Sequence, residues 1–342
     1  MTSWSERADE AQRGLTQFFG ADWPQFLNNT YPVTSNATFN YWWLAHVVDV
    51  RVDAYRRTGD PHWLAEARRT SENIRARNGG SLFNDYFDDM LWYALALVRL
   101  ARVDDDPSHL DDARTLFRHI VRHGWNDTGG WSLAWRKTQL DYKNTPANAP
   151  LVILAAWLAD LDPADDYLEY GAAAFDWLTT HLVGEDGFVA DGLNRLGDGA
   201  IDHQWQFTYN QGLYIGAAVA LGQVTHQGGL LGDACRTART AIRRLSDGAV
   251  FAGEGDGGDE GLFKGIFYRY ALDLIEALPP DHPDGVALAD FIRAGTDELW
   301  HTALRKDGFL AGNDWHAPVV LPVPYSTQVS AIIALEMRAR LG

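Results

Sequence analysis

The chain has 342 residues, 46% of them apolar and 12% aromatic, enough to bury a large core in one to three domains. A formal net charge of −17 argues against nucleic acid or an anionic membrane as partner, since both need a basic surface that displaces counterions, whereas a neutral carbohydrate is indifferent to it. The single cysteine, Cys235, rules out a disulfide within the chain and, in the apolar period of LGDACRTARTAI, reads as a buried small residue rather than a nucleophile.

The start, MTSWSERADEAQRGL, is polar and acidic and lacks the basic opening and apolar stretch of a secretory signal, so cytoplasm is the expected location. Hydrophobic periodicity then predicts helices of two alternating kinds. Residues 5–19 are amphipathic; 41–55 (YWWLAHVVDVRVDAY) are apolar nearly all round. The alternation continues with amphipathic 58–74, apolar 89–103, amphipathic 104–121, apolar 147–159, amphipathic 162–178 and apolar 210–224. Amphipathic 228–245, apolar 264–278, amphipathic 281–299 and apolar 327–341 complete it. The amphipathic class mostly starts after turns rich in Asp, Pro and Gly and carries a charged outer face, while helices without a polar face belong inside. No apolar run approaches the roughly 18 to 20 residues of a membrane span.

The unit of one outer and one inner helix recurs every ~45 to 65 residues, longer than the ~34 of a tetratricopeptide array. Six such hairpins closed into a ring predict an all-α (α/α)6 toroid forming one catalytic domain over residues 1–342. In such a ring the inner helices begin at one shared rim. The segments preceding them, NATFN, FNDYFDD, LDYKNTPAN, WQFTYNQ, GDEGLFK and PVPYST, each join an aromatic to amides, hydroxyls or charges. That lining suits a polyol ligand. Fourteen Trp and thirteen Tyr fit both core packing and stacking on sugar faces.

Asp88 and Asp89 stand at the start of the second inner helix, after Tyr86 and Phe87. One reading is a helix cap, since Asp is favoured in the first turn. The other is chemical: adjacent carboxylates oppose each other's ionisation, so one stays an acid while the other is an anion. Glycosidic cleavage needs that division, a proton for the leaving oxygen and a carboxylate for the oxocarbenium-like centre.

The segments NDYFDDMLWYALALVRL, GGWSLAWRKTQLDYKNTPANAPLVILAA, FVADGLNRLGDGAIDHQWQFTYNQGLYIGAAVAL and GLFKGIFYRYALDL resemble, in order, the signatures of glycoside hydrolase family 76, the endo-α-1,6-mannanases. The resemblance runs from about residue 40 to 340 and is to a cytoplasmic bacterial type, without the cysteines that many secreted members carry near GGW and FKGIF. It implies the (α/α)6 fold and retaining hydrolysis of α-1,6-mannosidic bonds, with an α-mannoside as partner. It also implies Asp88 as nucleophile and Asp89 as general acid/base. Tyr86, Trp135, Lys143, Asn144, Asp191, Trp205, Tyr209, Asn210 and Lys264 fall in the matching motifs as candidates for binding sugar.

Other patterns carry less. GEGDGG at 253–258 satisfies a loose G-x-G-x-x-G but follows no predicted strand, and Glu254, Asp256, Asp259 and Glu260 would repel phosphate. NRLGDGAID, with Asp198 and Asp202, lacks the closing Glu of a calcium loop. The His residues show no H-E-x-x-H spacing, so neither catalytic metal nor cofactor is expected. Two other functions stay open. One is a sugar 2-epimerase resembling the N-acylglucosamine epimerases, with His46 and His203 as candidate bases; the other is a non-catalytic carbohydrate-binding ring. An α-1,6-glucoside in place of the mannoside is a variant of the hydrolase reading.

Overall fold

A helix such as 145–161, TPANAPLVILAAWLADL, has apolar residues on every side and gains by being surrounded. In the computed structural model, which describes residues 2–163, 166–255, 258–305 and 307–342, six such helices surround one another. They are α2 (Tyr41–Thr58), α4 (Phe87–Ala101), α6 (Thr145–Leu161), α8 (Thr208–Thr225), α10 (Glu260–Ala277) and α12 (Tyr325–Leu341). Each packs on the next, and α12 closes the ring on α2. Outside lie α1 (Trp4–Phe19), α3 (Pro61–Arg77), α5 (Ser108–Gly124), α7 (Tyr167–His181), α9 (Gly229–Leu245) and α11 (Pro283–Thr302). The expected (α/α)6 toroid is what the chain forms. Asp256, in the acidic GEGDGG loop, and Ala164 and Asp165, in the lead to the fourth outer helix, lie outside the described residues.

Local chemistry explains the outer starts. Ser3 and Glu6 form a capping box on α1, and α3 opens with Asp60 as cap before Pro61. Inside, small residues let backbones close up: a Cβ on Gly212 of α8 would lie 2.6 Å from the Phe267 backbone of α10, and one on Gly265 would lie 2.7 Å from that of Ser330 in α12. Cys235 is buried on α9, and burial pushes its thiol up to about 12, which suits the packing role and not a nucleophile. Among the described residues no helix is long and apolar enough to cross a membrane.

One departure from the all-helical expectation matters for function. β2 (Trp125–Asn126), β3 (Ser132–Arg136), β4 (Gln139–Asn144) and β5 (Gly192–Leu193) form an antiparallel sheet in the order β2-β3-β4-β5, while β1 (Thr30–Tyr31) pairs with β6 (Val323–Pro324). Register slips between Ala134 and Arg136, so Trp135 sits in an irregularity of the kind that re-aims a side chain. β4 runs straight into α6, with Asn144 both the last strand residue and the cap of the helix, accepting from the Ala147 N–H. Helix periodicity cannot report so short a ladder.

Candidate active site

The six inner helices all start at one mouth of the ring. There a cavity of about 490 Å³ is lined by residues from five of the six preceding segments. The sixth, PVPYST, contributes no lining residue. Its Tyr325 hydroxyl donates to the Asn40 carbonyl and its Ser326 hydroxyl to that of Gly258, so it braces the rim instead.

Asp88 and Asp89 occupy the first turn of α4 and both face this cavity. Tyr86 is the N-cap residue and makes no side-chain cap bond. Asp88 Oδ1 accepts from the Asp89 N–H at 3.0 Å and Oδ2 from the Trp135 indole at 2.9 Å. Asp89 Oδ2 accepts from the Asn84 amide at 2.9 Å. All three donors are neutral, and among the described residues no cation bonds to either carboxyl. Burial therefore dominates: it raises Asp88 above the usual carboxylate range, against the pull of the two N–H donors. Asp89 is raised well above that range by burial and then by the charge of Asp88. With more donors Asp88 is the easier anion, and Asp89 is the one that keeps its proton.

A third carboxylate in the cavity is held differently. Asp191 immediately precedes β5 and accepts four bonds. Its Oδ1 takes the Tyr209 hydroxyl at 3.1 Å and the Asn210 amide at 2.9 Å, while its Oδ2 takes the Tyr142 hydroxyl at 3.0 Å and the Arg195 guanidinium. Arg195 also donates to Asp202 at 3.0 Å, so the residue read as half of a calcium loop belongs to this network. Arg195 lies 3.9 Å from the Trp205 ring centroid, which holds that half-exposed indole as a flat platform at the rim. Opposite, Tyr209 stacks on Phe263 with centroids 3.8 Å apart.

The structure brings Tyr86, Asp88, Asp89, Trp135, Asn144, Asp191, Trp205 and Tyr209 together on one cavity. Lys143, Asn210 and Lys264 do not line it, which corrects their expected place against sugar. Lys143 is buried and donates to the Ser132 and Asn126 carbonyls at 2.7 and 3.2 Å, tying β4 to β3 and β2; burial pushes it down to about 7. Asn210 stands behind Asp191, and Lys264 donates to the Asn313 carbonyl at 3.0 Å. Sequence reasoning missed Asn84, which sits in FNDYFDD, and gave Asp259 no part in the site. Asp259 Oδ1 accepts from the indoles of Trp42 and Trp43 at 3.1 and 2.7 Å, which aims a fourth carboxyl into the cavity from GDEGLFK.

Glu254 of GEGDGG accepts from the Thr208 N–H at 2.5 Å, which satisfies the first backbone donor of α8, and from the Thr208 hydroxyl at 2.6 Å. His46 is buried against Trp42 and Trp92 without a hydrogen-bond partner among the described residues, and His203 is exposed and outside the lining, so neither stands as an epimerase base. One group with metal-ligand composition occurs among the described residues, Cys235, His282 and Asp284, with ligand atoms within 4.8 Å of one another. Arg239 already pairs with Asp284 at 2.6 Å, and its charge opposes a cation there.

Residues 3–331 match the sequence profile of glycosyl hydrolase family 76. The chain belongs to that family. A putative mannan endo-1,6-alpha-mannosidase of Schizosaccharomyces pombe is 24% identical over 91% of this chain and 79% of its own length. Among solved structures, a protein of Listeria innocua is 45% identical, with a TM-score of 0.95 over 99% of this chain and 98% of its own. An inactive variant of an alpha-1,6-mannanase from Salegentibacter sp. HEL1_6, with two adjacent aspartates replaced by asparagine, was solved with alpha-1,6-mannotriose. It is 33% identical, with a TM-score of 0.92 over 99% of this chain and all of its own. Family 76 thus reaches into fungi, and the expectation of a distinct cytoplasmic bacterial type is not borne out. As a family 76 member this protein is a glycoside hydrolase, and the epimerase and non-catalytic readings fall away.

Proposed function

We propose that this protein hydrolyses α-1,6-mannosidic linkages in a mannan, a manno-oligosaccharide or a lipid-linked mannoside, cleaving internally and with retention of configuration. The carrying observation is the pair Asp88 and Asp89, two carboxyls facing one aromatic cavity, held by neutral donors only and pushed apart in acidity. The names of the fission yeast relative and the Salegentibacter enzyme support the linkage and the sugar, and the inactivating exchange of two adjacent aspartates in the latter supports the pair.

In the first step Asp88 attacks the anomeric carbon while Asp89 gives its proton to the departing glycosidic oxygen, leaving a mannosyl ester on Asp88. Asp89, now an anion, takes a proton from water as that water attacks the same carbon; the ester breaks, and Asp88 returns as carboxylate. Two inversions give the α-anomer. Asp191, fixed by four donors, and Asp259, fixed by two indoles, are placed to accept sugar hydroxyls, with Trp205 as platform. Closure of α12 on α2 supports reading residues 1–342 as one catalytic domain. The cytoplasmic location expected from the sequence stays part of this proposal, and immunodetection after cell fractionation checks it.

The test is a panel of α-1,6-linked mannosides and glucosides followed by proton NMR. Internal products of the mannosides carrying first-formed α-anomer are expected; activity on the glucosides alone overturns the substrate, and first-formed β-anomer overturns the mechanism.

A further inference from the structure

The ring has a second mouth, where the same six helices end, and it is not closed. A cavity of about 270 Å³ lies there, and the C-terminal half of every inner helix contributes to its wall. Its charge is unlike that of the chain as a whole. In a protein of net charge −17, five guanidiniums, those of Arg56, Arg99, Arg102, Arg269 and Arg340, face one small cavity. Three of them are accounted for: Arg99 and Arg269 bond Asp53 beneath the floor, and Arg340 pairs with Glu276 at 2.6 Å. Among the described residues Arg56 makes no hydrogen bond or ion pair, and the Arg102 side chain rests on the Trp157 ring alone, 4.8 Å from its centroid.

Helix C-termini attract cations, yet neither of these two guanidiniums bonds a terminal carbonyl. Burial and then the like charges of Arg99, Arg102 and Arg340 lower Arg56, against the opposite charge of Asp53. Of the two carboxylates in the wall, Glu276 is taken by Arg340, and Asp273 acts on Arg102 through its charge without a hydrogen bond to it among the described residues. Two unpaired planar forks beside a half-buried indole form a recognition site for a dianion with a small body. We propose that this far mouth binds a small phosphate-bearing ligand, free phosphate or a phosphate monoester, clasped by Arg56 and Arg102, at a site separate from the catalytic cavity.

The probes are inorganic phosphate and glycerol phosphate, titrated against the full chain by calorimetry and by thermal melting, with chloride at equal ionic strength as control. Saturable binding of either probe and a rise in Tm that chloride does not give are expected. Arg56→Ala combined with Arg102→Ala should weaken binding about tenfold or more, as loss of charge-assisted bonds predicts. Both side chains are exposed, so this variant should fold and keep its hydrolysis of an α-1,6-mannoside. Gln223→Glu, which sets a carboxylate on the exposed cavity wall, should weaken binding independently. Tighter glycerol phosphate points to a monoester, equal or tighter phosphate to the free ion. Absence of saturable binding, or equal affinity in wild type and both variants, overturns the proposal.

Discussion

Two sets of aspartates are buried on the inner ring, and they behave in opposite ways. Asp53, on α2, is bonded by the guanidiniums of Arg99 and Arg269, which hold its carboxyl far below the usual range despite burial. Asp88 and Asp89, on α4, meet only N–H groups without charge, and burial pushes both upward. Burial is common to both, so the partner decides the outcome. A carboxylate given a cation becomes part of the scaffold. One given neutral donors keeps a proton within reach of neutral pH and stays available for chemistry.

The sharpest way to break that contrast is Asp88→Asn, for which we expect a loss of about 10⁴-fold or more in kcat that no better leaving group restores. Asp89→Asn should cost about 10² to 10⁴-fold on a mannan, less on an activated aryl mannoside, with azide speeding breakdown of the intermediate. Comparable turnover in either folded mutant and the wild type removes the pair from the mechanism. Stability should move the other way. A carboxyl whose folded pKa is raised contributes stability that is present below its unfolded pKa and is lost as pH rises through the folded one. Both Asn variants should therefore melt a few degrees higher than wild type at neutral pH, with the gain vanishing below about pH 4.

Asp53→Asn should do the reverse, destabilising the fold by about 3 to 5 kcal/mol, since two guanidiniums lose a buried partner, while turnover per folded molecule holds. Its sign with pH is also reversed. The contribution of a depressed carboxyl is present above its unfolded pKa of about 3.9 and drains as pH falls below that, so the mutant and wild-type melting curves should converge in acid.

A smaller effect sharpens the contrast within the proposed catalytic pair. Removing the indole donor by Trp135→Phe takes away a bond that lowers Asp88, so the acidic limb of the kcat/KM profile should move to higher pH. A drop of about 10- to 100-fold in kcat should accompany it, the range for a hydrogen bond to a charged group. An unmoved limb would show that Trp135 is packing alone. Smallest of all, Trp205→Ala should raise KM about fivefold with kcat held, the scale of one stacking contact.

Much of this was legible in the chain because its signals are periodic or adjacent. The alternation of all-apolar and one-sided helices announced the ring, and six helix starts sharing a rim announced where the site would be. Asp88 and Asp89 stood out as neighbours. Apart from Asn84, five residues from Asp89, the contacts that escaped have a common cause. Trp135 reaches Asp88 across 47 residues through a register slip of two short strands, and Trp42 and Trp43 reach Asp259 across more than 200. Such contacts leave no mark in local periodicity. The two lysines misled for a related reason: Lys143 and Lys264 lie inside the motifs, but a long side chain in a buried backbone corner found carbonyls before it found the cavity.

Closure of the ring by its last helix has a consequence for how the protein is made. Every residue of α12 from Tyr325 to Arg338 is buried, against α10 on one flank, α2 on the other and α1 behind. While a ribosome is still translating, the first five hairpins are complete but α2 and α10 face open water where α12 will lie. The nascent chain therefore keeps those apolar faces uncovered until α12 emerges, and a message broken just before Tyr325 yields a chain that carries Asp88 and Asp89 and no closed ring to hold them.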